Sequence, residues 1–144
     1  MRKSLVAFLV VFMSLIALVS CSADSAPTVN FNLSYVVADS VNVPEIMVRG
    51  QKYPITVYYK RPDNCHYFNG IYRSDVNGVV TVAVEAMVLN NVSCEPILTT
   101  TPDVATFEYT VPMSVYSNCK FKFYNGVNSL GQDTFIIKDV PVAP

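Results

Sequence analysis

Along most of the chain apolar and polar residues alternate with a period of two, the spacing that sends successive side chains to opposite faces of a β-strand. In Tyr53–Lys60, Ile55, Val57 and Tyr59 alternate with Thr56, Tyr58 and Lys60. In Val79–Leu89, Val80, Val82, Val84, Ala86 and Val88 share one face while Thr81 and Glu85 mark the other. Phe107, Tyr109 and Val111 alternate with Thr106, Glu108 and Thr110, and Cys119, Phe121 and Phe123 with Lys120, Lys122 and Tyr124. Each pattern predicts a half-buried antiparallel strand with its apolar side inward. Further strands are predicted at Phe31–Val37, Ile46–Val48, His66–Arg73 and Thr134–Val140. Asn77-Gly78 reads as a hairpin turn, and Asn125-Gly126 with Leu130-Gly131 as a second one before the last strand. About seven short strands with regular turn signals and no helical apolar stripe predict an all-β fold, an immunoglobulin-like antiparallel β-sandwich, with a small closed barrel as the alternative.

The N-terminal segment follows a different rule. Arg2 and Lys3 precede an apolar run from Leu5 to Val19 broken only by Ser14, the layout of a secretory signal peptide and shorter than the roughly 20 apolar residues of a membrane span. The run ends in Leu18-Val19-Ser20-Cys21, which resembles the lipobox of bacterial lipoproteins, where the cysteine is acylated and becomes the new N-terminus. That resemblance implies a signal peptide over residues 1–20, a lipid on Cys21, a tether over residues 21–30 and the folded domain over residues 31–144. Ser22, where an Asp would mark inner-membrane retention, points to an outer-membrane anchor in the cell envelope, facing either the periplasm or the surface. The alternative is ordinary secretion with cleavage after Ala23. Acyl chains contribute about 0.8 kcal/mol per buried methylene, so two or more hold a protein on a bilayer without a spanning helix.

Composition narrows the function classes. With 144 residues, 51% hydrophobic and 15% charged, the chain is not a disordered one, and a formal net charge of -1 supplies no basic field for nucleic acid. Removal of residues 1–20 takes away Arg2 and Lys3 and no acid, leaving eight basic against eleven acidic side chains.

With Cys21 acylated, three cysteines remain in an oxidising compartment and one of them stays unpaired. Cys119 shares a strand face with Phe121 and Phe123, whereas Cys65 and Cys94 sit in polar contexts, so we expect a Cys65–Cys94 disulfide and a free buried thiol at Cys119. A bridge from Cys65 or Cys94 to Cys119, like an inter-sheet immunoglobulin disulfide, is the competing arrangement.

The order Tyr53-Pro54-Ile55-Thr56-Val57-Tyr58-Tyr59, then Cys65-His66-Tyr67-Phe68, Val79–Val88 and Cys94, resembles a group of uncharacterised Bacteroidetes, especially flavobacterial, lipoproteins. The closing Lys120–Asn125 strand and Asp139-Val140-Pro141-Val142 are similar to the end of their single immunoglobulin-like domain. The resemblance supports pairing Cys65 with Cys94 and implies no catalytic residue.

Candidate chemistry is sparse. The one histidine, His66, adjoins Cys65, so a Cys-His pair competes with a turn imidazole beside a cystine. Neither a metal site nor a cofactor is expected: Asp63, Asp75 and Asp133 stand outside any regular calcium loop. Glu85, Glu95 and Glu108 are the candidates for a glycosidic carboxylate pair, but Glu85 and Glu108 occupy the polar phase of their strands. Among nine tyrosines, Tyr53, Tyr58, Tyr67, Tyr72 and Tyr124 are candidates for an outward aromatic binding surface. Asp24-Ser25-Ala26 and Asp39-Ser40-Val41 resemble the O-glycosylation site of Bacteroidetes exported proteins, which implies glycans on Ser25 and Ser40. The expectation is a non-enzymatic, membrane-anchored envelope lipoprotein with a structural or protein-interaction role. A glycan-binding module of a surface nutrient-uptake system is the alternative.

Overall fold

The computed structural model describes residues 30–90, 92–115 and 117–143. The predicted signal peptide, Cys21 and Ser25 lie outside the described residues. Nine strands follow in chain order: β1 (Phe31–Val36), β2 (Ala38–Asn42), β3 (Met47–Val48), β4 (Lys52–Tyr59), β5 (His66–Val76), β6 (Val79–Leu89), β7 (Asp103–Thr110), β8 (Asn118–Val127) and β9 (Asp133–Ala143). They form two sheets facing each other over one core, an all-β sandwich. The larger sheet holds β5, β6, β1, β8, β9 and β3, and the smaller runs β2-β4-β7.

Two features refine the expected seven-stranded antiparallel arrangement. First, β6 and β8 pair in parallel, Val79 opposite Lys120 through Val82 opposite Phe123. The chain between them crosses to the smaller sheet as β7 and returns, so β6 and β8 run the same way. The short β3 also pairs in parallel, with β9. Second, β2 carries no hydrophobic alternation, yet it pairs with β4 as an edge strand, where polar side chains can remain in water. It continues β1 after a break at Val37, and the break carries the chain from one sheet to the other.

The alternation decides which side is buried. Val80, Val82, Val84, Phe121 and Phe123 from the larger sheet meet Ile55, Val57, Tyr59 and Tyr109 from the smaller one, and all are buried. Phe121 is fully inaccessible and packs edge-on against Tyr109, ring centroids 5.0 Å apart. Each buried side chain of this size contributes about 1.5–3 kcal/mol relative to exposure. Among the described residues no charged or polar side chain is buried with them.

Turns follow local chemistry, with one correction. Asn77 and Gly78 join β5 to β6 with φ of 54° and 75°, the pair of positive values a two-residue type I′ hairpin requires. Asn125-Gly126, in contrast, is not a turn. The strand runs on to Val127, and the β8–β9 register shifts between Tyr124 and Val127, a bulge with Gly126 at φ 91°. A Cβ at Gly126 would stand 3.3 Å from Val37 Cγ2, and Asn125 Nδ2 donates to the Ala38 carbonyl at 2.6 Å. The Asn-Gly pair thus fits β8 against the β1–β2 break. Reversal comes later, at the predicted Leu130-Gly131, where the Gly131 N–H donates to the Asn128 carbonyl at 3.0 Å and Asn128 Oδ1 accepts the backbone N–H of both Leu130 and Gln132.

Candidate functional site

Among the described residues, the outer face of the larger sheet carries the main concentration of exposed rings. β6 shares one edge between two strands: β8 pairs with Val79–Val82 and β1 with Val84–Leu89, and Ala83 falls where the two meet. On the other edge Ala83 faces Tyr72 of β5. The Ala83 methyl points outward in phase with Thr81 and Glu85, yet the residue is only 5% exposed, because rings gather around it. Tyr35 of β1 lies 5.5 Å from Tyr72 and 5.9 Å from Tyr124 of β8, and Tyr124 lies 6.3 Å from Phe135 of β9. The result is an aromatic row, Tyr72–Tyr35–Tyr124–Phe135, crossing the sheet perpendicular to its strands. Lys122 Nζ sits 4.3 Å from the Phe135 ring centroid, within cation–π range.

Polar groups border the row on one side. Glu85, opposite Tyr35, accepts from Asn69 Nδ2, and a depression of about 260 Å³ lies between Leu33, Ser34, Tyr35 and Glu85. Desolvation, then the neighbouring Tyr72 and Glu85, push the Tyr35 hydroxyl above its ordinary pKa, so it remains a hydrogen-bond donor at neutral pH.

Of the tyrosines singled out from sequence, Tyr72 and Tyr124 belong to this row and Tyr67 stands exposed on the same face, opposite Met87. Tyr58 is half-buried on the smaller sheet, away from them. Tyr53 is a correction: it shares the inward phase of Ile55 and Val57, packs against the core, and its hydroxyl accepts the Val48 N–H at 2.9 Å. Tyr35, the hub of the row, was not among the candidates. Its place in β1, in phase with exposed Phe31 and Leu33, was the available signal.

Cys119 falls on the inner face of β8 as its phase requires, and Cys65 and Cys94 lie in loops. Cys65 and Cys94 form a disulfide, Cα atoms 5.5 Å apart. Cys119 is a free thiol, 2% exposed, with the Tyr109 hydroxyl donating to its sulfur at 3.8 Å. Burial pushes both the Cys119 thiol and the Tyr109 phenol above their ordinary values, so neither ionises near neutrality. The bridge to Cys119 is not formed.

Beside the disulfide, His66 Nδ1 lies 2.6 Å from Asp63 Oδ1, which also accepts the Cys65 N–H at 2.9 Å. The hydrogen bond from His66 is the main cause that lowers the Asp63 carboxyl below the usual range. Asp63, Cys65 and Cys94 place ligand atoms within 4.8 Å of one another, but both sulfurs are spent in the disulfide and offer no thiolate to a metal. Glu85 and Glu108 project from the outer faces of opposite sheets and cannot flank one scissile bond. Glu95 is exposed in the loop after β6, where its backbone N–H donates to Asn64. Asp75 and Asp133 are exposed at separate ends of β5 and β9, and Ser40 is exposed on the edge strand β2.

Compared with protein-family models, curated proteins and solved structures, the chain matches none.

Proposed function

We propose that this is a non-enzymatic envelope lipoprotein, anchored by an acylated Cys21 to the outer membrane, that acts by binding through the outer face of its larger sheet. One observation carries the binding part: Tyr72, Tyr35, Tyr124 and Phe135 form a continuous ring contact on a solvent face, where tyrosines otherwise spread singly. Large, rigid side chains with a polar tip supply contact area at low entropic cost, the composition of binding hot spots. The non-enzymatic part rests on the locked His66–Asp63 pair and on Glu85 and Glu108 facing opposite ways. The anchor rests on the lipobox-like Leu18–Cys21 and on the likeness to flavobacterial lipoproteins. A photo-crosslinker at Tyr72 in the native kind of host should capture one envelope protein, with capture lost in Tyr35→Ala. No adduct above background would refute the protein-binding role.

A second reading, binding of a glycan, is favoured by Glu85 and Asn69 beside Tyr35. An aromatic face for the apolar side of a sugar and a carboxylate–amide pair for its hydroxyls stand next to each other there. Retardation in polysaccharide gels, abolished by Tyr72→Ala, would establish it over the first reading.

A further inference from the structure

We propose that the β1–β6 tip of the larger sheet's outer face seats in the bilayer that carries the anchor, leaving the Tyr72 side of the aromatic row at the interface, open to the partner proposed above. This rests on the reading of Cys21 as acylated. Strand register sorts the face into rows along the strand axis. The row at the tip is Phe31 and Leu89, and the next is Leu33, Met87 and Tyr67. The aromatic row with Tyr35 and Tyr124 follows, and in it Glu85 stands opposite Tyr35 and accepts from Asn69. Only beyond it come the lysines, Lys122 level with Thr81 and Lys120 level with Val79. Phe31 and Leu33 are 50% and 58% exposed. Apolar tip, tyrosine belt, then lysine is the sequence of side chains met on leaving a bilayer through its interface, with amphipathic rings at headgroup level and ammonium groups beyond. Val76 and Ile137 are exposed apolar side chains at the lysine level, placed on flanking strands β5 and β9.

The course of the chain selects the occupant. Asn30 precedes Phe31 at the tip, and its carbonyl accepts the Asn90 N–H at 2.9 Å, so the tether enters at the apolar end of the sheet. Nine residues lie between Cys21 and Phe31, and over ten backbone steps of no more than about 3.3–3.6 Å each Phe31 stays within roughly 35 Å of the acylated residue. The end of the domain held nearest the bilayer is therefore the end whose outer face is most apolar. A sugar chain would meet no hydrogen-bonding group on Phe31, Leu33, Met87 or Leu89.

The chain contains no Trp, so a single introduced tryptophan reports its own surroundings. Full-length Leu33→Trp, with Phe31→Trp as a second tip variant and Ile137→Trp at the lysine level, is produced with its leader. The acylated product is placed in phosphatidylethanolamine–phosphatidylglycerol vesicles with brominated acyl chains. The expected result is a blue shift and quenching at positions 33 and 31, and neither at 137. Unshifted, unquenched tip variants on protein whose intact mass carries the acyl chains would overturn the docking while leaving the anchor in place. Equal quenching at all three positions would overturn the tip-first orientation. An unacylated mass would overturn the anchor reading and the docking with it. A blue shift at position 33 caused by soluble polysaccharide without lipid would assign the face to a glycan instead.

Discussion

Tyr35 and Tyr72 lie with ring centroids 5.5 Å apart although their strands never pair; β6 runs between them, with Ala83 opposite Tyr72 and Glu85 opposite Tyr35, and the small Ala83 methyl leaves room for the rings to meet. A larger residue at position 83 would push the two rings apart. Ala83→Leu should therefore split the aromatic row while leaving the core on the opposite face intact. Loss of crosslinking or polysaccharide binding with a retained cooperative melt is the expected outcome.

Tyr35→Ala removes two ring contacts at once, each worth about 0.5–1.5 kcal/mol beyond buried area. Urea unfolding should show a loss on that scale, and Tyr58→Ala, on the other sheet, should leave any binding unchanged.

Paired replacement of Cys65 and Cys94 by serine opens a loop with a sequence separation of 29 residues. The chain-entropy treatment gives a loss of about 3–4 kcal/mol, readable as a lower urea midpoint. A maleimide should fail to label Cys119 in native protein and label it stoichiometrically in denaturant.

Asp63 is held below its ordinary pKa of 3.8 by the hydrogen bond from His66. A carboxyl lowered in the folded state stabilises above its unfolded pKa, and that contribution fades as pH falls from about 4 through the folded value. Asp63→Asn should melt earlier than the parent at pH 6, with the gap closing below pH 4. Melting temperatures measured across this range check the sign.

The core strands could be read from the chain because burial and the period of two are the same fact in a sandwich: Ile55, Val57, Phe121 and Phe123 each point inward as their parity demands. Parity also singled out Cys119 and so left Cys65 for Cys94. Tyr53 has the same inward parity as Ile55, and that phase, not its ring chemistry, decides its place against the core. The β2 strand is hidden because a bulge between Ala38 and Ser40 turns Ala38 and Val41, three residues apart, toward the core and breaks the period of two. Asn125-Gly126 reads as a turn because the dipeptide is the strongest local hairpin signal, whereas here a contact with Val37, remote in sequence, makes use of the glycine. The aromatic row escaped for a topological reason: Tyr35 and Tyr124 become neighbours only because β1 and β8 share one edge of β6, and no local pattern encodes that.

The envelope assignment turns on Cys21. Intact mass and membrane fractionation of the wild type beside Cys21→Ala, in the native kind of host, test it most directly. An acylated, membrane-bound wild type and an unacylated variant lacking the diacyl mass at residue 21 are the expected result. A soluble, unacylated wild type would contradict the anchor and with it the envelope assignment.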